Sequence, residues 1–137
     1  SEPRGQGYQE TLAKAGLPVA PADILLGEVT VEDGQRMGLE LLSRACRPRA
    51  VFAMCDLQAI GVLRAARQLG LRVPQDVAVL GFDDIEAADY MDLSTVSQSL
   101  GESGRLAAEL LLGRIREPDR PLQSIHLKVS VIQRSST

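Results

Sequence analysis

Apolar residues recur along this chain with two periods, and the two periods alternate. Tyr8 and Leu12 stand four apart within Gly7–Ala15, which predicts a short helix closed by Gly16. The prolines at 18 and 21 stop it. Ile24-Leu25-Leu26, ended by Gly27, predicts a brief buried strand. Met37, Leu41 and Leu42 give helical spacing to Val31–Arg44, with Glu32 and Asp33 in the first turn, where the helix dipole favours carboxylates. Pro48 closes that segment.

Ala50–Met54 is apolar throughout, the pattern of a strand covered on both faces in a parallel sheet. Asp56 opens a helix with Ile60, Leu63 and Leu69 on one side, stopped by Gly70, with Leu71 as the contact after the cap. Val77–Leu80 is a second continuous apolar strand, ended by Gly81. Thr95-Val96-Ser97 predicts a short extended piece. Leu106, Leu110, Leu111 and Ile115 make Leu100–Arg116 an amphipathic helix. Ile125, Leu127, Val129 and Val131 alternate with His126, Lys128 and Ser130, a strand with one wet face. The rhythm lapses only between Asp83 and Gln98. Helix and strand alternation of this kind predicts an α/β fold, a parallel sheet with flanking crossover helices.

Composition narrows the class. The chain has 137 residues, 45% apolar and 24% charged, which suits one globular domain with a real core. Lys and Arg number 15 against 18 Asp and Glu, a net charge of −3, and no basic stripe offers itself to phosphates. Aromatics are few: Tyr8, Phe52, Phe82 and Tyr90, with no Trp. Cys46 and Cys55 make neither a disulfide framework nor a zinc motif. No signal peptide pattern or membrane-length apolar run stands in the sequence. These features predict a soluble, cytoplasmic chain with no cofactor, no metal and no membrane partner.

Open α/β sheets bind ligands at the carboxyl ends of their strands. Those ends carry Cys55-Asp56 and Asp83-Asp84. Asp56 stands where an N-cap belongs, so capping alone explains it, although capping and ligand contact are compatible. Asp83 and Asp84 equally suit a turn. The one histidine, His126, falls on the polar side of a predicted strand, and no nucleophile elbow or P-loop occurs. Cys55 beside a helix start is a thiol candidate, but a small residue at a strand end explains it too. The sequence assembles no enzyme active site. Carboxylates and an arginine in one crevice suit a polar small molecule, a sugar or nucleoside.

Longer stretches carry a family likeness. Ala50-Val51-Phe52-Ala53-Met54-Cys55-Asp56-Leu57-Gln58-Ala59-Ile60-Gly61, then Leu69 to Asp84 with Gly-Leu-Arg-Val-Pro and Gly-Phe-Asp-Asp, resemble the effector domain of LacI/GalR transcriptional regulators. Ser94–Gln98 and the helix from Gly101 through Leu111 continue the likeness, in the family's order. The resemblance implies a periplasmic-binding-protein-like, two-lobed sensor in which a small molecule in the cleft controls affinity for operator DNA. It implies effector contacts at Arg4, within Arg4-Gly5-Gln6-Gly7-Tyr8, at Asp83, at Cys55 beside Asp56, and at Gln98. Val29 stands where the family often places a stacking Trp or Phe, so the resemblance leaves a sugar face without its platform. The stretch between Asp84 and Thr95 is also shorter than in well-known members, close to where the family's homodimer contacts lie.

By the same resemblance, the DNA-binding helices, the hinge, the first lobe and the opening strand of the second lobe all precede Ser1. Residues 1–97 then belong to the C-terminal lobe. Residues 98–137 form a crossover helix and strand that return towards the first lobe, plus a tail. The expected function is effector sensing in a LacI-type regulator, with operator DNA bound only through the absent N-terminal part. Three rivals accompany it: a transport binding protein with the same lobes, an enzyme using Cys55 or Asp83, and a regulator triggered by a partner protein.

Overall fold

The computed structural model describes residues 2–137 and shows an open four-stranded sheet with helices against it. The elements run α1 (Glu2–Lys14), a 3-10 turn at Pro21–Asp23, α2 (Val31–Leu42), β1 (Ala50–Phe52), α3 (Asp56–Gln68), β2 (Ala78–Phe82), α4 (Glu86–Tyr90), β3 (Ser94–Ser97), α5 (Leu100–Arg116) and β4 (Ser130–Ile132). Strand order is β1-β2-β3-β4, with β1, β2 and β3 parallel and β4 antiparallel to β3. The sheet is therefore mixed, where sequence periodicity predicts a parallel one. The alternating segment near the C-terminus supplies the antiparallel strand, but only over Ser130–Ile132, with Thr95 opposite Ile132.

Several ends follow the expected local chemistry. Thr30 caps α2 by accepting the Asp33 amide at 3.1 Å. Gly16 and Gly70 take positive φ, 74° and 69°, at the ends of α1 and α3, where a Cβ is costly. The Leu71 amide then bonds back to the Ala66 carbonyl at 2.9 Å, sealing the end of α3.

The core lies between α3 and the sheet face that carries Val79. Ala59, Ile60, Val62, Ala66, Val77, Val79 and Leu93 are buried there and form one cluster. Helices α2 and α3 meet at backbone distance: a Cβ on Gly61 would run into Val31 and Gly34, and one on Gly34 into the Gln58 backbone. The opposite sheet face, with Phe52, Leu80 and Phe82, is only half-buried. Helix α1 reaches over it, stacking Tyr8 on Phe52 with ring centroids 5.3 Å apart. The two-sided apolar strands thus have one face in the core and one partly covered.

Two expectations fail here. Ile24–Leu26 forms no strand, because the free edge of β1 lies across a groove of about 890 Å³ lined by Tyr8, Leu12, Ile24, Leu25 and Val51. Without a ladder partner an extended apolar run does not become a strand, and Leu26 is left 89% exposed. The lapse between Asp83 and Gln98 holds a real helix, α4, of five residues. Only Ala88 within it is buried, so it leaves no periodic trace. No helix among the described residues is long and apolar enough to cross a membrane.

Candidate effector site

The site forms where β1 and β2 end. Phe82 is the last residue of β2, and the two aspartates after it both take positive φ, 108° at Asp83 and 54° at Asp84. This tight reversal turns the Asp83 side chain back over the strand ends. Its Oδ1 accepts the Gln98 amide at 2.5 Å, and Arg4 NH2 stands 3.8 Å away. Arg4 and Asp83 keep about three-tenths of their side chains exposed, so the pair stays open to a solute.

Arg4 is held on three sides. It projects from the first turn of α1, its NH1 donates to the Met54 carbonyl at 2.5 Å, and its guanidinium lies 3.7 Å above the Phe82 ring. A planar guanidinium stacked on a ring and pinned by a carbonyl has already lost its rotamer freedom. Phe82 in turn sits edge-on to Phe52 at 6.5 Å, so Tyr8, Phe52 and Phe82 form a short aromatic row beneath the arginine. Arg4, Asp83 and Gln98, separated by most of the chain, meet at one point.

The remaining sequence candidates lie elsewhere. Asp56 is 1% exposed and points inward. Cys55, not Asp56, is the N-cap residue of α3, and its side chain makes no capping bond. Asp56 instead spends both oxygens inside the protein, on the Thr95 hydroxyl at 2.6 Å and the Ile85 amide at 2.9 Å. Buried this way, it faces the core and not solvent. Cys55 is a free, buried thiol, next to the Met54 carbonyl that Arg4 uses. Val29 is 64% exposed in the loop before α2, and no described contact joins it to the Arg4 cluster. Asp84 turns away to Arg134 at 3.1 Å. His126 is exposed, but it lies in the irregular segment before β4 and not in a strand.

Sequence reasoning overlooked Phe82. Its signal was the period of two along β2, which places it with Leu80 on the face that α1 covers. Among the described residues no cluster of His, Cys, Asp and Glu is arranged to hold a metal ion. The arrangement offers a hydrogen-bond acceptor, a fixed cationic fork and an amide at the carboxyl end of the sheet. Groups of those kinds can hydrogen-bond a hydroxyl-bearing molecule.

Comparison with known proteins gives a consistent picture. Residues 1–137 match the family model described as a periplasmic binding protein-like domain. The ribose operon repressor of Haemophilus influenzae is 38% identical over 135 residues, 97% of this chain and 41% of the repressor. The HTH-type transcriptional repressor PurR of Photorhabdus laumondii is 35% identical, over 97% of this chain and 40% of its own length. A LacI-family regulatory protein from Chloroflexus aggregans superposes with a TM-score of 0.89 at 39% identity, covering 97% of this chain and 49% of that one. A LacI-family regulator from Enterococcus faecium with bound ribose gives 0.86 at 30% identity, covering 98% and 50%. The chain spans about two fifths of the length of these curated relatives.

Proposed function

The chain belongs to the periplasmic binding protein-like domain family, in the form found in LacI-type regulators, and on that premise we propose that it is part of a regulator's effector sensor. The ligand is a small polyhydroxylated molecule, a sugar or a close relative, met by Arg4 and Asp83, with the Gln98 amide as the group it displaces. One observation carries this reading: three residues from α1, the end of β2 and the end of β3 converge at the carboxyl end of the sheet. The relatives are repressors and regulators, and solved neighbours hold ribose, cellobiose and sucrose, which supports a sugar over a peptide trigger. The same names favour a regulator over a transport binding protein. No catalytic role falls to Cys55 or Asp83.

In this reading the ligand acts through Gln98. Its amide occupies Asp83 Oδ1, and it lies between β3 and α5, next to Ser99 with φ 53°. An incoming hydroxyl that donates to Asp83 Oδ1 displaces that amide and frees the segment between β3 and α5. Ligand binding therefore favours one arrangement of this segment over another, and linkage carries the preference to operator affinity. The regulator works in the cytoplasm as a homodimer, and operator DNA is gripped by a part of it other than these acidic residues. The test is a thermal-shift panel of sugars, sugar phosphates and nucleosides on the intact regulator, followed by titration of Asp83→Ala. A hit that Asp83→Ala abolishes supports the reading; a hit that Asp83→Ala leaves unchanged removes the site.

A further inference from the structure

The turn that presents Asp83 is one that L-residues rarely adopt. Two consecutive non-glycine residues hold positive φ, 108° and 54°, and such backbone persists only where its surroundings over-determine it. All three amides of the turn are committed. The Asp83 amide donates to the Val96 carbonyl at 2.9 Å, the Asp84 amide to Thr95 Oγ1 at 3.3 Å, and the Ile85 amide to Asp56 Oδ2 at 2.9 Å. Thr95 is itself fixed, because its hydroxyl donates to Asp56 Oδ1 at 2.6 Å. Two of the three anchors thus depend on one buried carboxyl group, directly or through Thr95.

Asp56 makes no ion pair among the described residues, and it stands at the start of the 13-residue helix α3. Burying a carboxylate without a cation is costly, and the two bonds with the helix N-terminus offset that cost. The neighbouring strand also makes room for it: a Cβ on Gly81 would collide with Asp56 Oδ1. We infer that Asp56 is a positioning residue that holds the Asp83–Ile85 turn, and so sets the direction in which Asp83 meets the effector. The inference rests on the reading of Asp83 given above.

Three variants of the intact parent protein test it, read by amide hydrogen exchange and by D-ribose titration. Asp56→Ala removes both anchors. It should speed exchange at Asp84 and Ile85 about tenfold or more and leave Leu80 in β2 protected. It should also weaken D-ribose binding by about tenfold or more, the usual size of a lost charged hydrogen bond. Asp56→Asn keeps an oxygen for the Ile85 amide and turns its own amide to Thr95 Oγ1, so it should restore most of both losses. Thr95→Val, close in shape, frees the Asp84 amide and removes the donor to Asp56 Oδ1, while the Ile85 amide keeps Asp56 Oδ2. It should speed exchange at Asp84 and weaken binding, which keeps the test alive where Asp56→Ala does not fold.

Unchanged exchange at Ile85 in Asp56→Ala overturns the inference, as does faster exchange with wild-type D-ribose affinity. A uniform loss of protection, with Leu80 exchanging as fast as Ile85, also overturns it, since that marks a general core role. If Ile85 alone is released while the wild type binds no member of the sugar panel, Asp56 does hold the turn and the effector reading is what fails.

Discussion

The side-chain amide of Gln98 donates to Asp83 Oδ1 at 2.5 Å, tying the short link between β3 and α5 to the turn after β2. A ligand that uses Asp83 Oδ1 competes with that bond. Gln98→Ala is therefore expected to tighten effector binding by up to about tenfold, since one hydrogen bond to a charged group is removed from the free state. The same variant should lose most of the effector's influence on operator binding. Calorimetry gives the first quantity and a mobility-shift titration the second. Weaker binding in Gln98→Ala would show instead that the amide contacts the ligand.

Arg4 is expected to tolerate no conservative change. Lysine at position 4 can reach either the Met54 carbonyl or the Phe82 face, but its ammonium cannot fork to Asp83 as well. Arg4→Lys should lower effector affinity by about one to two orders of magnitude, with little change in melting temperature. Phe82→Leu should reproduce part of that loss by removing the ring under the guanidinium. Equal affinities for wild type and Arg4→Lys contradict the arrangement.

Glycine substitutions should divide by helix. Gly61 packs its backbone against α2, where an added methyl meets Val31 and Gly34; nothing lies within 4 Å of a Cβ on Gly104 in α5. Gly104→Ala should stabilise by roughly 0.5–1 kcal/mol through helix propensity. Gly61→Ala should destabilise by about 1–3 kcal/mol through overpacking. Chemical denaturation of the two variants gives the signs directly.

The exposed face of α5 should likewise separate from the core. Leu111 and Ile115 are 62% and 66% exposed, so Leu111→Glu and Ile115→Glu are expected to leave the melting temperature of this chain within error. Leu93 is fully buried, and Leu93→Ala should cost about 2–5 kcal/mol.

Acid should loosen one surface connection. Arg72 clamps Asp76 through Nε and NH2 at 2.9 and 3.0 Å, and the Asp76 carboxyl is held down from 3.8 to about 2. A depressed folded-state pKa means the contribution is present above the ordinary aspartate value and is lost as pH falls through about 2. Stability profiles of wild type and Asp76→Asn should converge over that window and differ slightly above it. Parallel profiles from pH 2 to pH 5 would rule the clamp out.

The elements that sequence periodicity reveals are those whose burial is one-sided and long. Met37, Leu41 and Leu42 announce α2, and Gly16 and Gly70 mark helix ends because their positive φ excludes a Cβ. Helix α4 escapes because five residues with one buried alanine carry no period. Ile24–Leu26 misleads for the opposite reason: its composition is that of a strand, but pairing is a property of the partner, and the β1 edge is out of reach. The meeting of Asp83 and Arg4 was legible from two family motifs, Gly81-Phe82-Asp83-Asp84 and Arg4-Gly5-Gln6-Gly7-Tyr8. Asp56 was placed at the right strand end and given the wrong direction, since a helix-opening aspartate looks the same in sequence whether it faces the crevice or the core. Phe82 stands inside the Gly-Phe-Asp-Asp motif, but its place under the Arg4 guanidinium needed the fold.

The central claim is that Asp83 senses an effector and that this sensing reaches the operator. The direct measurement is a mobility-shift titration of the intact regulator on its operator with and without the sugar found in the thermal-shift panel, in wild type and Asp83→Ala. The account predicts that Asp83→Ala binds operator as the wild type does while its response to the sugar disappears, a loss of about tenfold or more in effector affinity. An unchanged dose response in Asp83→Ala would contradict it.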